Sequence, residues 1–215
     1  MGALAGLFAL GQPTDAERTY AAVVEREAAN QGIEPAFVQA VIWVESRFNP
    51  QAVGREPGGT ISYGLMQLLL STAREVARNP SLQADDLFDP ALNVRLGTAY
   101  LAWQLRRYGG RIPEAVAAYN AGRARRDSAG RFVNSAGDPK VQAYVDQVLS
   151  RLAQYRQRPA ALEAVPDAYS QELEAAYGRD PEPPPSPWAE WPWWWGWAAG
   201  GGAAALLLLL AWRTR

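Results

Sequence analysis

Glu45 is the residue of this chain best placed to do chemistry. It closes the stretch PAFVQAVIWVES, residues 35–46, in which Phe37, Val41 and Val44, with Phe48 just beyond, recur at three- and four-residue steps. That is the spacing of one helix face, and Glu45 lies on the apolar stripe instead of opposite it. A carboxylate among Val, Ile, Trp and Phe is poorly solvated when ionised, so its proton affinity should rise. A carboxyl group that holds its proton near neutral pH can protonate a leaving oxygen. A glutamate at a helix end that simply reaches water fits the same pattern. A Gly-rich loop follows, where Gly54, Gly58, Gly59 and Gly64 permit sharp turns and close approach of a ligand. Ser62, Tyr63, Met66 and Gln67 then offer hydroxyl, aromatic, thioether and amide contacts.

Composition narrows the chemistry. The 215 residues include no Cys and no His, which excludes disulfides, thiol nucleophiles, imidazole bases and the usual zinc ligands. Acid–base work must fall to Asp, Glu, Tyr or Lys, and Lys140 is the sole lysine. A net charge of −1 implies no broad basic face for nucleic acid. Asp85, Asp86 and Asp89 lack the flanks of a metal loop and read as an acidic helix entrance. No metal and no cofactor is expected.

The elements that must position Glu45 are mainly helical. Thr14 and Glu17 fit a capping box, Tyr20, Val23, Val24 and Ala28 mark an apolar stripe, and Gly32 is a stop. Pro35 suits the first turn of the Glu45 helix. Ser71 is a candidate cap for a short helix through Ala77. Asp89 and Pro90 open a helix whose Leu92, Leu96, Ala99 and Trp103 share a face, and Gly109-Gly110 ends it. Pro113 opens a short helix that delivers Tyr119 and Asn120. Residues 123–138 are polar and Arg-rich and read as a mobile loop. Arg123, Arg125, Arg126 and Arg131 there could attract acidic groups, or the loop is simply solvated. Asp138-Pro139 repeats the cap-plus-proline device before a stripe of Val141, Tyr144, Val148, Leu152 and Tyr155.

Three motifs in this order resemble a known family. Glu45-Ser46 with Asn49-Pro50, then Gly64-Leu65-Met66-Gln67, then Ala118-Tyr119-Asn120-Ala121-Gly122 is similar to the soluble-lytic-transglycosylase (SLT) domain, a family related in fold to goose-type lysozymes. The resemblance runs from about Thr14 to Tyr155. It departs at Leu69-Leu70, where the family usually carries Met-Pro. It implies a lysozyme-like fold of about six helices with a small hairpin near residues 54–68. It implies that Glu45 protonates the glycosidic oxygen between N-acetylmuramic acid and N-acetylglucosamine in peptidoglycan, then acts as base towards the C6 hydroxyl of the same muramic acid. That hydroxyl closes a 1,6-anhydro ring, and its high effective concentration makes a second carboxylate unnecessary. By the same resemblance Ser46, Ser62, Met66 and Gln67 line the glycan groove, Tyr119 and Asn120 lie near Glu45, and Tyr144 approaches the carboxylate. Core packing remains an alternative for Tyr119 and Tyr144. Asn49-Pro50 and Asn93 read as structural caps and turns.

The organisation expected is an apolar segment over 1–13, the catalytic domain over 14–158, a Pro-rich linker over 159–187 with a short helix at 167–177, and a Trp-rich anchor over 188–215. Residues 1–11 lack a basic flank and are too short to span a bilayer, and a degenerate export signal stays open. From Trp191 to Trp212 no residue is charged, and as a helix these 22 residues span about 33 Å, close to the hydrocarbon thickness. Tryptophans at both ends suit the two interfaces, and Arg213 and Arg215 suit an inner-face flank. An interfacial anchor or a protein-docking peptide are the other readings. The expected setting is a membrane-containing phage virion, with a bacterial envelope facing the wall as the alternative, so virion or envelope partners are expected besides the glycan. Two rival functions stay open. One is a goose-type hydrolase, with Asp85, Asp86 or Asp127 positioning water. The other is an inactive, SLT-like structural or membrane-docking protein.

Overall fold

The computed structural model describes residues 13–55 and 59–158. The expected N-terminal segment, the Pro-rich linker with its short helix, and the Trp-rich span fall outside them. Among the described residues no helix is long and apolar enough to cross a membrane.

Six α-helices and one small sheet make up the domain. Helix α1 (Asp15–Gln31) opens with the capping box: the Glu17 amide donates to Thr14 Oγ1 at 3.2 Å and the Thr14 amide to Glu17 Oε2 at 2.6 Å. It stops where Gly32 turns left-handed, at φ 65°. Helix α2 (Pro35–Ser46) has proline in its first turn. Every residue from Phe37 to Ile42 is buried, not one face alone. A helix enclosed on all sides is the centre of a fold, and α1 and α6 pack on it.

After α2 the chain reverses through Arg47 and Phe48, both left-handed with φ 55° and 61°, and Phe48 is driven into the core. The sheet follows as β1 (Val53–Arg55), β2 (Ile61–Tyr63) and β3 (Leu68–Leu69), antiparallel throughout, with Val53 opposite Tyr63 and Ser62 opposite Leu69. Helix α3 (Leu70–Ala77) begins one residue before Ser71, so Ser71 sits inside the first turn and does not cap it. A 3-10 turn over Asp85–Phe88 leads to α4 (Pro90–Arg107), where Asp89 Oδ1 accepts the Leu92 amide at 2.7 Å. Helix α5 (Ile112–Ala121) is short. Helix α6 (Lys140–Gln157) starts with Pro139 as its cap, and Asp138 Oδ1 accepts the Lys140 amide at 2.9 Å.

The larger core joins α1, α2, α4, α5 and α6 around Val24, Phe37, Val41, Leu101 and Val148. A smaller one lies under α3 and the sheet, from Leu68, Ala73, Leu87 and Leu96. The segment expected to be a mobile polar loop, 123–138, is mostly exposed but reaches the core at two residues. Arg126 pairs with Phe132 in an antiparallel bridge, and Phe132 and Val133 are buried. The Phe132 amide donates to Gln142 Oε1 at 2.9 Å. Two apolar residues in an otherwise polar stretch were the signal for this.

The first and last helices are latched. Glu17, 3% exposed, accepts the Tyr155 hydroxyl and, at 3.1 Å, Arg158 Nη1. Burial pushes the Glu17 carboxyl up, but Tyr155, the Thr14 amide and Arg158 outweigh it and hold the group below its ordinary value. A depressed carboxyl contributes stability that is complete above its unfolded-state value and is lost as pH falls through the folded-state value. Glu17→Gln is therefore expected to cost about 2 kcal/mol at neutral pH. The gap from wild type should shrink once pH drops below the carboxylate range. Urea unfolding of both proteins at neutral and acid pH checks this, and a gap that stays constant would exclude the charge as its source.

Candidate active site

Glu45 stands, half-buried, one residue before the end of α2. Because α2 is enclosed, its last turn is fixed by the core, and the carboxyl group inherits that position. From α6, Tyr144 donates its hydroxyl to Glu45 Oε1 at 2.5 Å. Tyr119, near the end of α5, lies buried behind this pair and donates to the Met66 carbonyl at 2.8 Å. Burial first, and then the nearby Glu45 charge, push both phenols well above their ordinary range. Both therefore stay protonated at any physiological pH and act as donors, not as bases. Tyr100 of α4 packs against Tyr119, ring centroids 5.3 Å apart and planes tilted by 49°, and burial pushes it up to about 12.

The loop from Gly64 to Gln67 forms the wall beside Glu45. Ser46 Oγ donates to the Leu65 carbonyl at 2.7 Å, tying the end of α2 to this loop. Gly64 is left-handed at φ 75°, and a Cβ there would lie 2.3 Å from Asn93 Nδ2, so no other residue fits. Asn93 is fully buried and fully used: it accepts the Met66 amide at 2.8 Å and donates to the carbonyls of Leu87 and Tyr63 at 2.8 and 2.9 Å. The reading of Asn93 as structural agrees with this geometry.

Several residues expected to line the groove belong to its frame instead. Met66 is fully buried, with Sδ 3.8 Å from Thr98 Oγ1, and Gly97 makes room for it: a Cβ there would lie 2.4 Å from the sulfur. Ser62 is 2% exposed and donates to Gln67 Oε1 at 2.9 Å. Gln67, left-handed at φ 47°, gives its amide nitrogen to the carbonyls of Ala52 and Gly64 at 3.1 and 2.8 Å. The polar types that suggested sugar contacts satisfy the buried backbone of a tight loop, which has the same hydrogen-bonding needs. Of the expected contacts, Tyr144 touches Glu45 directly and Asn120 is exposed beside Tyr119. The sequence reading gave Tyr100 no role; its place at i−4 from Gln104, which donates to its hydroxyl at 2.9 Å, was the available signal.

Two of the carboxylates named for a hydrolase are committed to hydrogen bonds of their own. Asp86 Oδ2 accepts the Gln83 amide at 2.7 Å. Asp127 is held by the Arg131 guanidinium at 2.9 Å and by the Ala129 and Arg131 amides. Among the described residues no group of three or more His, Cys, Asp or Glu could hold a metal ion.

A family model described as the transglycosylase SLT domain matches residues 22–141. The soluble lytic murein transglycosylase of Escherichia coli (strain K12) is 31% identical over 151 residues, covering 64% of this chain and 23% of that protein. Among solved structures, an inactive glutamate-to-glutamine mutant of the lytic transglycosylase Slt from Pseudomonas aeruginosa is 30% identical, with a TM-score of 0.52, over 66% of this chain and 25% of that one. A complex of the 70-kDa soluble lytic transglycosylase with bulgecin A is 27% identical, with a TM-score of 0.56, over 71% and 26%. The chain thus spans about a quarter of the length of these relatives.

Proposed function

The chain belongs to the transglycosylase SLT family, and from that premise we propose that it is a lytic transglycosylase cutting the glycan strands of peptidoglycan. The observation that carries this reading is the Glu45–Tyr144 pair at the end of the enclosed helix α2. The bond cut is the β-1,4 link from N-acetylmuramic acid to N-acetylglucosamine. Glu45 gives its proton to the glycosidic oxygen as the C1–O bond breaks. It then takes the proton of the muramic C6 hydroxyl as that oxygen bonds to C1, so the 1,6-anhydro product forms and Glu45 regains its proton. The nucleophile comes from the substrate, so one carboxyl group serves both steps. Tyr144 fixes the rotation of the carboxyl, and Tyr119 holds the loop wall through the Met66 carbonyl.

Two measurements test this. Digestion of purified peptidoglycan by the full chain should release muropeptides lighter by one water than the reducing products of a hydrolase, read by mass spectrometry. Reducing products would replace the reading with hydrolysis. Tyr144→Phe is expected to lower kcat by roughly 10- to 150-fold with little change in KM, since a hydrogen bond to a charged group is worth about 1.5–3 kcal/mol. An unchanged kcat would remove Tyr144 from the mechanism.

The stretch from Trp191 to Trp212 supports a membrane anchor, for it carries no charge over 22 residues and is tryptophan-rich at its start. The setting that fits is a membrane-containing phage virion opening the wall at entry, with the bacterial envelope as the alternative. Retention of the protein in alkaline-washed virion or cell membranes, lost on deleting 188–215, is the expected result.

A further inference from the structure

The domain matches most of its crowded arginines with carboxylates. Arg156 pairs with Glu34, and Arg158 pairs with Glu17. Beyond α5, Arg126 meets Glu114 and Arg131 meets Asp127. Arg47 and Arg151 differ, for neither takes part in an ion pair among the described residues. Both lie against Trp43, with their Cζ atoms 3.2 and 3.1 Å from the indole centroid. Two groups so close to one ring can only occupy its opposite faces, so the half-buried indole is held between like charges. Burial holds the Arg151 guanidinium below its usual range; Tyr155 opposes this, and the Arg47 charge adds to it. Stacking engages the flat faces of the guanidiniums and leaves their in-plane N–H groups at the rim. Arg151 gives one of these to Gln154 Oε1 at 2.8 Å. Those that remain suit a carboxylate.

Arg151 also feels the charges of Glu17 and Arg158, which places the stack beside the latch between α1 and α6. That corner is where the chain leaves the domain. Arg151 and Arg158 are seven residues apart at the end of α6, on one face and about 10 Å from each other. From Arg158 to Glu163 is five residues, a reach of about 17 Å. The chain that follows α6 is acidic. Between 159 and 182 it carries six carboxylates (Glu163, Asp167, Glu172, Glu174, Asp180 and Glu182) against Arg179 alone. We propose that this segment docks on its own domain, with Glu163 and Asp167 meeting the guanidiniums of Arg47 and Arg151 on the two sides of Trp43. An exposed ion pair by itself is weak, so the segment would bind poorly as a separate peptide. Tethered a few residues away, it has an effective concentration of about millimolar order. That favours it over an acidic partner from solution. An anionic membrane is the poorer occupant, since the neighbouring carboxylates repel it. Docking takes up residues 159–167, about 30 Å of reach, and so sets how far the domain stands from whatever holds the tail. It holds whether or not Glu45 is catalytic.

Limited proteolysis of the full chain in a neutral detergent tests this, with a glutamate-specific protease. The cut after Glu163 is read by mass spectrometry against the cut after Glu174 in the same molecule. Cutting tracks the fraction of time a segment is free. The ratio of the two rates is expected to rise about tenfold in the double variant Arg47→Asn, Arg151→Gln. It should rise as far in wild type at 1 M salt, where the Debye length falls to about 3 Å. Asn tolerates the left-handed conformation that Arg47 adopts at φ 55°. Asp167→Asn leaves every residue of the domain in place and should raise the ratio several-fold, which decides the matter even if the arginine variant fails to fold. A ratio that is the same in wild type and variants overturns the docking. Protection that weakens on dilution gives the arginines to the segment of a second copy, and protection seen only with anionic phospholipid vesicles gives them to a membrane. Either result refutes the intramolecular contact.

Discussion

Glu45→Gln is expected to lower the release of anhydro-muropeptides by about 10³-fold or more, within the range general acid–base catalysis supplies, with the unfolding midpoint almost unchanged. The amide has the shape of the carboxyl group, and its oxygen can still accept the Tyr144 hydroxyl, which sits 2.5 Å from Glu45 Oε1. What it lacks is a proton to give to the leaving oxygen and a base to take one back. The described groups already named do not meet either deficit. Tyr119 and Tyr144 are held protonated by burial and by Glu45 itself, and Asp86 and Asp127 are engaged elsewhere. Mass spectrometry of a peptidoglycan digest, run beside circular dichroism of the variant, separates lost chemistry from lost fold. A folded variant of undiminished lytic effect would sink the enzymatic reading and favour a structural, membrane-docking role. In the similar Pseudomonas aeruginosa protein, a glutamate-to-glutamine mutant is inactive.

The largest effect on stability is expected at a residue that makes no contact with Glu45. Asn93→Leu replaces a buried amide by an apolar side chain of like size and strands the Met66 amide and the carbonyls of Leu87 and Tyr63. Each buried polar group left unmatched costs about 1–3 kcal/mol, so a loss of about 4 kcal/mol is expected after partial relaxation. Urea unfolding measures it. A loss under 1 kcal/mol would mean that water replaces the amide and that the loop does not depend on Asn93. Activity should fall as well, because Gly64 to Gln67 would no longer be held against α4 and the wall beside Glu45 would loosen.

The sequence showed the helices well because their ends carry local chemistry: the Thr14–Glu17 box, Pro35 and Asp89-Pro90 all act within one turn. Ser71 misled by two residues and Asp138 by one, since a cap depends on backbone direction as well as residue type. Burial was harder to read. The stripe on α2 suggested one apolar face, whereas the packing of α1 and α6 on it encloses every residue from Phe37 to Ile42. Ser62, Met66 and Gln67 were legible as important but not in which direction they point, for a loop that must satisfy its own backbone uses the same hydroxyls and amides as one that grips a sugar. The contact of Arg151 with Trp43 joins residues 108 apart and leaves no local pattern at all.

The latch between α1 and α6 has a topological consequence. Thr14 caps the helix whose Glu17 receives Tyr155 and Arg158, so the points where the chain enters and leaves the domain meet at one corner. A unit with adjacent ends can be spliced into the middle of another polypeptide, or hung from its end, without disturbing either core. The fold is in this sense a cassette, and its reuse inside proteins about four times the length of this chain's matching region is what such geometry permits. It also predicts that joining 13 to 158 by a short Gly/Ser bridge and reopening the chain elsewhere would preserve the Glu45–Tyr144 contact, because that contact depends on α2 and α6 and not on the order in which the chain visits them.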